Sequence, residues 1–191
     1  MADMHMPGKI LQALPILLLS AAALRGAGPG ARDWKQTLRE RLPLYGHRNW
    51  IVIADSAYPA QSRDGIETIV SGADQMEVLR EVLKAVNGSK HVRPIVHVDR
   101  ELASVPEAEA PGVEAYRSEL KHLFEKQAVT TLPHEQIIDK LDKAAQVFRV
   151  LIIKTDMTIP YTSVFLQLDC GYWNAEQEKR LRSAMEAKGV Q

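Results

Sequence analysis

Residues 50–54 read Trp-Ile-Val-Ile-Ala and stop at Asp55, a continuous apolar run in which three of the five residues are β-branched. Such a run is buried on both faces and suits the centre of a parallel sheet. Upstream, Trp34, Leu38 and Leu42 recur at i, i+4 and i+8, which predicts a short amphipathic helix over 33–42, ended by Pro43. Downstream, Gly72, Ala73 and Asp74 open a helix whose stripe is Met76, Leu79, Val82, Leu83 and Val86, closed by Asn87 and Gly88. A strand over 95–98 follows, then a loop over 104–112 and a helix over 113–126 carrying Tyr116, Leu120 and Leu123. An extended piece at 128–131 and Pro133 lead into a helix over 134–145 that faces the core with Ile137, Ile138 and Leu141. Strands at 147–154 and 163–168 flank a turn at 155–160, and Asn174 caps a last, highly charged helix to about residue 187. Strands alternating with helices predict an α/β fold, a three-layer αβα arrangement around a mostly parallel sheet.

The chain has 191 residues with 24 Lys plus Arg against 24 Asp plus Glu, so no net field draws in phosphate or anionic lipid, and nucleic acid is not an expected partner. Its one cysteine, Cys170, excludes an intramolecular disulfide and a cysteine zinc site. At this length about 70% of the unfolded surface is buried on folding, enough for a core without staples. Residues 10–24, ILQALPILLLSAAAL, follow Lys9 and precede the small-residue stretch 25–31. The run is short of the roughly 20 residues of a membrane span and contains Pro15, so no stable span is expected. It has the pattern of a secretory leader with a cleavage site at Ala21-Ala22-Ala23, making 1–31 leader and spacer and the protein periplasmic or extracellular. The alternative is a buried helix in a cytoplasmic chain.

Ligands of open α/β sheets gather outside the carboxyl ends of strands. Asp55 stands at such an end, and His47 lies eight residues before it, ahead of the same strand. A five-residue strand covers about 16 Å, so the two belong to opposite ends unless loops fold back or a neighbouring subunit supplies one of them. Taken alone, both also read as packing or capping residues. His97 and Asp99 offer two metal ligands with no third at a recognisable spacing, and no metal is expected. His91 and His122 fall in polar contexts that predict solvated side chains, while Cys170 beside a strand reads as an inert buried thiol. No G-x-x-x-x-G-K-[ST] phosphate loop occurs. The last helix reads as a solvated face held by i,i+4 charge pairs.

Three ordered blocks add a resemblance. Residues 46–62, GHRNWIVIADSAYPAQS, residues 132–136, LPHEQ, and residues 153–166, IKTDMTIPYTSVFL, together resemble the ribose pyranase and fucose mutarotase family, over 42–173. The resemblance implies a sugar-isomerase domain over 32–173, with 174–191 a charged helical extension. It implies an isomerase that interconverts ring forms or anomers of a free monosaccharide such as ribose or fucose, without a cofactor. It also implies a homo-oligomer whose sites lie near subunit contacts. By the same resemblance His47 is the proton donor, Asp55 a sugar-binding carboxylate, His134 a further sugar contact, and Tyr161, Thr162 and Ser163 a sugar-binding tripeptide. The residue types suit the chemistry, because opening a hemiacetal moves one proton off the anomeric hydroxyl and another onto the ring oxygen, and histidine does either near neutrality. Asn49 stands where relatives usually carry Asp, and Arg48 adds a positive charge, so an imidazolium at His47 is less stabilised. The alternative function is a sugar-binding protein that keeps the pocket without catalysis.

Overall fold

The computed structural model describes residues 33–188. The leader and spacer expected over 1–31 lie outside them. Helix α1, Trp34–Arg41, starts where the Asp33 side chain accepts from Lys35 N at 3.0 Å, and it buries Trp34 and Leu38. Pro43 does not stop the chain outright, since its fixed φ suits the 3-10 turn Leu42–Leu44 that follows. Strand β1, Trp50–Ala54, is buried along its whole length. Next come β2, Ile66–Val70, and α2, Gln75–Asn87, capped by the Asp74 carboxylate on Met76 N and Glu77 N (2.8 and 3.1 Å). The chain continues through β3, Val92–Asp99, a 3-10 turn, Arg100–Ser104, α3, Val113–Leu123, and β4, Val129–Leu132. It ends with α4, His134–Ala144, β5, Val150–Lys154, β6, Val164–Cys170, and α5, Ala175–Ala187.

One six-stranded sheet runs in the order β2-β5-β1-β6-β3-β4. Five strands point the same way, and β6 runs antiparallel between β1 and β3, so the largely parallel sheet is a mixed one. The length of the preceding link explains the reversal. Residues 155–163 hold no helix and are fewer than the dozen or so that a parallel crossover needs. They step over the end of β1 instead, where Thr155 N donates to Ala54 O (2.8 Å) and Ser56 N to Met157 O (2.8 Å).

The two faces of the sheet are covered unequally. Helices α1, α2 and α3 pack Trp34, Leu38, Leu79, Val82, Tyr116 and Leu120 onto Ile51, Ile53, Leu151, Ile153 and Leu166. On the other face α4 sets Ile137 and Leu141 against Val52, Ile152 and Phe165. Each fully buried aliphatic side chain contributes about 1.5–3 kcal/mol, so the register that puts Ile51 beside Leu151 and Leu166 is strongly selected. Helix α5 buries no side chain, as expected of a solvated face.

Several boundaries differ from expectation. Strand β2 has no counterpart in the sequence reading, because IETIV alternates poorly and pairs on one side only. Strand β3 begins earlier, at Val92, and contains Pro94. The proline costs no ladder bond there, since β4 joins only from Val96 onward and leaves that side of β3 an edge. Residues 147–149 turn out of α4 rather than starting β5, with Val147 N bonded to Ala144 O (3.1 Å). Among the described residues, no helix is long and apolar enough to cross a membrane.

Candidate functional site

Because β6 is reversed, its amino end meets the carboxyl ends of the other five strands. Asp55 follows β1, Asp99 closes β3, His134 follows β4, Thr155 follows β5, and Tyr161, Thr162 and Ser163 lead into β6. A buried amide binds this edge together. Gln75, fully buried at the start of α2, donates from Nε2 to Thr162 O (2.8 Å) and Ile53 O (3.2 Å), and its Oε1 accepts from the Thr155 hydroxyl (2.5 Å). From α3, the Tyr116 hydroxyl donates to the same Thr162 carbonyl (2.6 Å), and burial pushes that phenol's pKa up. Strand ends that are remote in sequence are therefore fixed by one side chain on each of two helices.

The edge encloses a cavity of about 400 Å³ lined by Asp55, Tyr58, His134, Thr158, Ile159 and Tyr161. That is within the usual size range of small-molecule sites. The Asp55 carboxylate accepts from Ser163 Oγ (2.9 Å) and Ala57 N (3.0 Å), which orients both its oxygens. Tyr161 sits at φ 60°, a left-handed conformation that costs a non-glycine residue about 1 kcal/mol or more. It remains 39% exposed and meets the His134 ring edge-on, with centroids 5.7 Å apart. The Thr162 side chain points elsewhere, its hydroxyl donating to Ile159 O (2.7 Å), and both Thr162 and Ser163 are buried.

His134 is held at two points. The Glu101 carboxylate accepts from its backbone N (3.1 and 3.2 Å), and its Nδ1 lies 3.1 Å from Asp99 Oδ1. The Asp99 side chain is wholly buried, and burial raises its carboxyl from the usual 3.8 to about 6 against the opposing pull of His134. Asp99 Oδ2 and the Tyr58 hydroxyl are both buried without a protein partner. His97, two residues before Asp99, does not join it, because its ring stacks on Trp50 with centroids 5.4 Å apart. Burial lowers the pKa of His97. No group of three or more metal-ligating side chains occurs among the described residues.

His47 occupies the opposite edge of the sheet. Its turn is closed by Asn49, whose Oδ1 accepts from Gly46 N (2.8 Å) and whose Nδ2 donates to Arg149 O (3.1 Å), while Arg48 adopts φ 75° and bonds Leu168 O through its N–H (2.8 Å). An Asp at 49 could accept the first bond but not donate the second. His47 is exposed beside a hollow of about 500 Å³ that Gln167, Asp169, Trp173 and Glu178 help to line. The structure therefore brings Asp55, His134 and Tyr161 into one cavity and leaves His47 about a strand's length away, roughly 16 Å. Cys170 is half-buried at the end of β6. His91 is not solvated as expected, because its Nε2 donates to the carbonyls of Leu42 and Tyr45 (3.2 and 3.0 Å) and ties down the turn after α1.

A sequence model of the RbsD / FucU transport protein family matches residues 35–170. No curated protein matches the chain. Among solved structures, RbsD of Bacillus subtilis complexed with D-ribose is 20% identical, with 70% of this chain and 91% of that chain covered and a TM-score of 0.50. Fucose mutarotase of Streptococcus pneumoniae in complex with L-fucose is 19% identical over 72% of this chain and 91% of that one, TM-score 0.46. FucU from Bifidobacterium longum is 19% identical over 70% and 92%, TM-score 0.48. At 20% identity the likeness to the Bacillus subtilis structure is one of fold.

Proposed function

Since this chain belongs to the RbsD / FucU transport protein family, we propose that it binds a free monosaccharide, ribose, fucose or a relative, at the carboxyl edge of its sheet and interconverts the sugar's ring forms or anomers. The observation that carries this reading is the oriented Asp55 carboxylate in one cavity with His134 and Tyr161. Asp55 accepts hydrogen bonds from sugar hydroxyls, Tyr161 offers a ring face and a phenol, and Ser163 keeps Asp55 aimed. Thr162 serves through its carbonyl, which fixes the tripeptide's path. Ring opening takes the proton from the anomeric hydroxyl, converts C1–O1 to a carbonyl, and releases the C1–O5 electron pair to the ring oxygen, which is protonated in turn. Closure on the other face reverses these transfers. Acid–base help of roughly 10²- to 10⁴-fold is sufficient for a reaction that already proceeds unaided.

His47 takes part in this scheme as the proton donor when a second copy of the chain presents its amino edge to the cavity, so the working form is a homo-oligomer. The leader pattern over residues 10–24 supports a reaction outside the cytoplasm, which the N-terminal residue of the protein from its native host would test. The decisive experiment is saturation-transfer NMR of anomer exchange over a panel of free sugars. Acceleration by wild type that disappears in His47→Ala and Asp55→Asn supports the isomerase. Binding without acceleration favours the sugar-binding alternative, for which the distance of His47 from Asp55 within one chain speaks.

A further inference from the structure

Asp99 and His134 are 35 residues apart and meet because β3 and β4 are parallel neighbours in register, with Asp99 paired to Leu132. Pro133 then turns the chain into α4, and as the residue before the helix it offers no side-chain cap. Glu101 supplies the missing acceptor at the His134 N–H, so the main chain of His134 is fixed independently of its ring. The ring is fixed by Asp99, whose side chain is wholly buried and spends one oxygen on Nδ1. A carboxylate withdrawn from water is costly unless paired, and a fold that only needed a helix start would have no use for it.

We infer that Asp99 is a positioning residue for His134, holding the ring with its proton on Nδ1 so that Nε2 is the acid–base atom of the cavity. This rests on the sugar-isomerising reading above. A neutral imidazole has one N–H and one lone pair, and the nitrogen that faces a carboxylate must be the donor. Nε2 is thereby left basic on a side chain that lines the cavity and is one-third exposed. It takes the proton of the anomeric hydroxyl as C1–O1 becomes a carbonyl, and the ring oxygen receives a proton from a second acid or from water. The imidazolium so formed is stabilised by the Asp99 charge. The other titratable groups around the pair are Glu101 from the 3-10 turn, Asp55 from the end of β1, Tyr58 from the loop after it, Tyr116 from α3, and Tyr161 from the segment before β6. The result is an acid–base device contained within one chain, beside the His47 that a second copy would bring.

The test compares full-length wild type, Asp99→Asn and His134→Gln for sugar affinity and for anomer exchange across pH, using a sugar that wild type accelerates. Asp99→Asn is expected to slow exchange roughly 10²-fold with affinity changed less than about threefold. Its acid limb moves to lower pH, because the ring loses its anionic partner. An unchanged rate and unchanged limb with sugar still bound overturns the inference and leaves the isomerase reading standing. If no sugar is accelerated, or the variant does not fold, the nitrogen-15 shifts of the His134 ring in wild type decide. A proton on Nδ1 with Nε2 bare above neutral pH supports the inference, and a proton on Nε2 overturns it.

Discussion

The two edges of the sheet handle their polar groups differently. At the amino edge, the turn around His47 is tied to itself and to its neighbours: Asn49 binds Gly46 and Arg149, and Arg48 binds Leu168. At the carboxyl edge, Gln75 and Tyr116 lock the strand ends, yet Asp99 Oδ2 and the Tyr58 hydroxyl stay buried without a protein partner, while each edge holds one left-handed residue, Arg48 and Tyr161. Rigidity there supports unsatisfied groups rather than removing them. Such local costs on a rigid frame are characteristic of binding sites, where stability is given up for a prepared surface.

The sharpest way to break this contrast is to remove the lock. Gln75→Ala takes a buried donor from the Ile53 and Thr162 carbonyls, leaves the Thr155 hydroxyl with Ala54 O as its one acceptor, and opens a cavity, and should cost about 4 kcal/mol in urea unfolding. A cost under about 1 kcal/mol would mean that the carboxyl edge does not depend on its buried amide. Next is Asp99. Its folded pKa lies above the usual 3.8, at about 6, so its contribution to stability is complete below pH 3.8 and is lost as pH rises through 6. Asp99→Asn lacks this loss and should gain on wild type by about 3 kcal/mol between roughly pH 4 and pH 8, read from denaturation midpoints. A constant difference would remove the claim that burial strains this carboxylate. Third, Asp55→Ala should weaken sugar binding about 30-fold in titration calorimetry, whereas His47→Ala should act mainly on exchange. Equal loss of affinity in both would erase the distinction between the edges. The smallest effect is expected at Asn49→Ala, about 1 kcal/mol of stability with sugar affinity unchanged, because its bonds lie at the amino edge alone.

How much of this was legible depended on whether the signal was local. Trp50–Ala54, the α2 cap Asp74 and the α5 cap Asn174 announce themselves in adjacent residues, and the structure places them as expected. The extended length of β1 was enough to set His47 and Asp55 at opposite ends. Strand β2 was not visible because its half-exposed residues carry little periodicity. The partnership of Asp99 with His134 was hidden for another reason, since it exists only through the β3–β4 register, and the nearer His97 looked the better match. Gln75 likewise looks like an ordinary polar residue at a helix start until β5 and β6 converge on it. The reversal of β6 followed from a link length that a mostly parallel reading passed over.

The placing of β1 has a consequence for how the protein is made. Its sheet neighbours, β5 and β6, both come from beyond residue 149, about a hundred residues later in the chain. At translation rates of roughly 5–20 residues per second, the uncharged segment WIVIA leaves the ribosome about 5–20 s before either strand that pairs with it exists. Loop closure over that distance then adds to the delay. The most strongly β-forming stretch of the sequence is thus the one that waits longest for a partner, which makes it the natural point of grip for a chaperone and the first point of failure for a chain released too early.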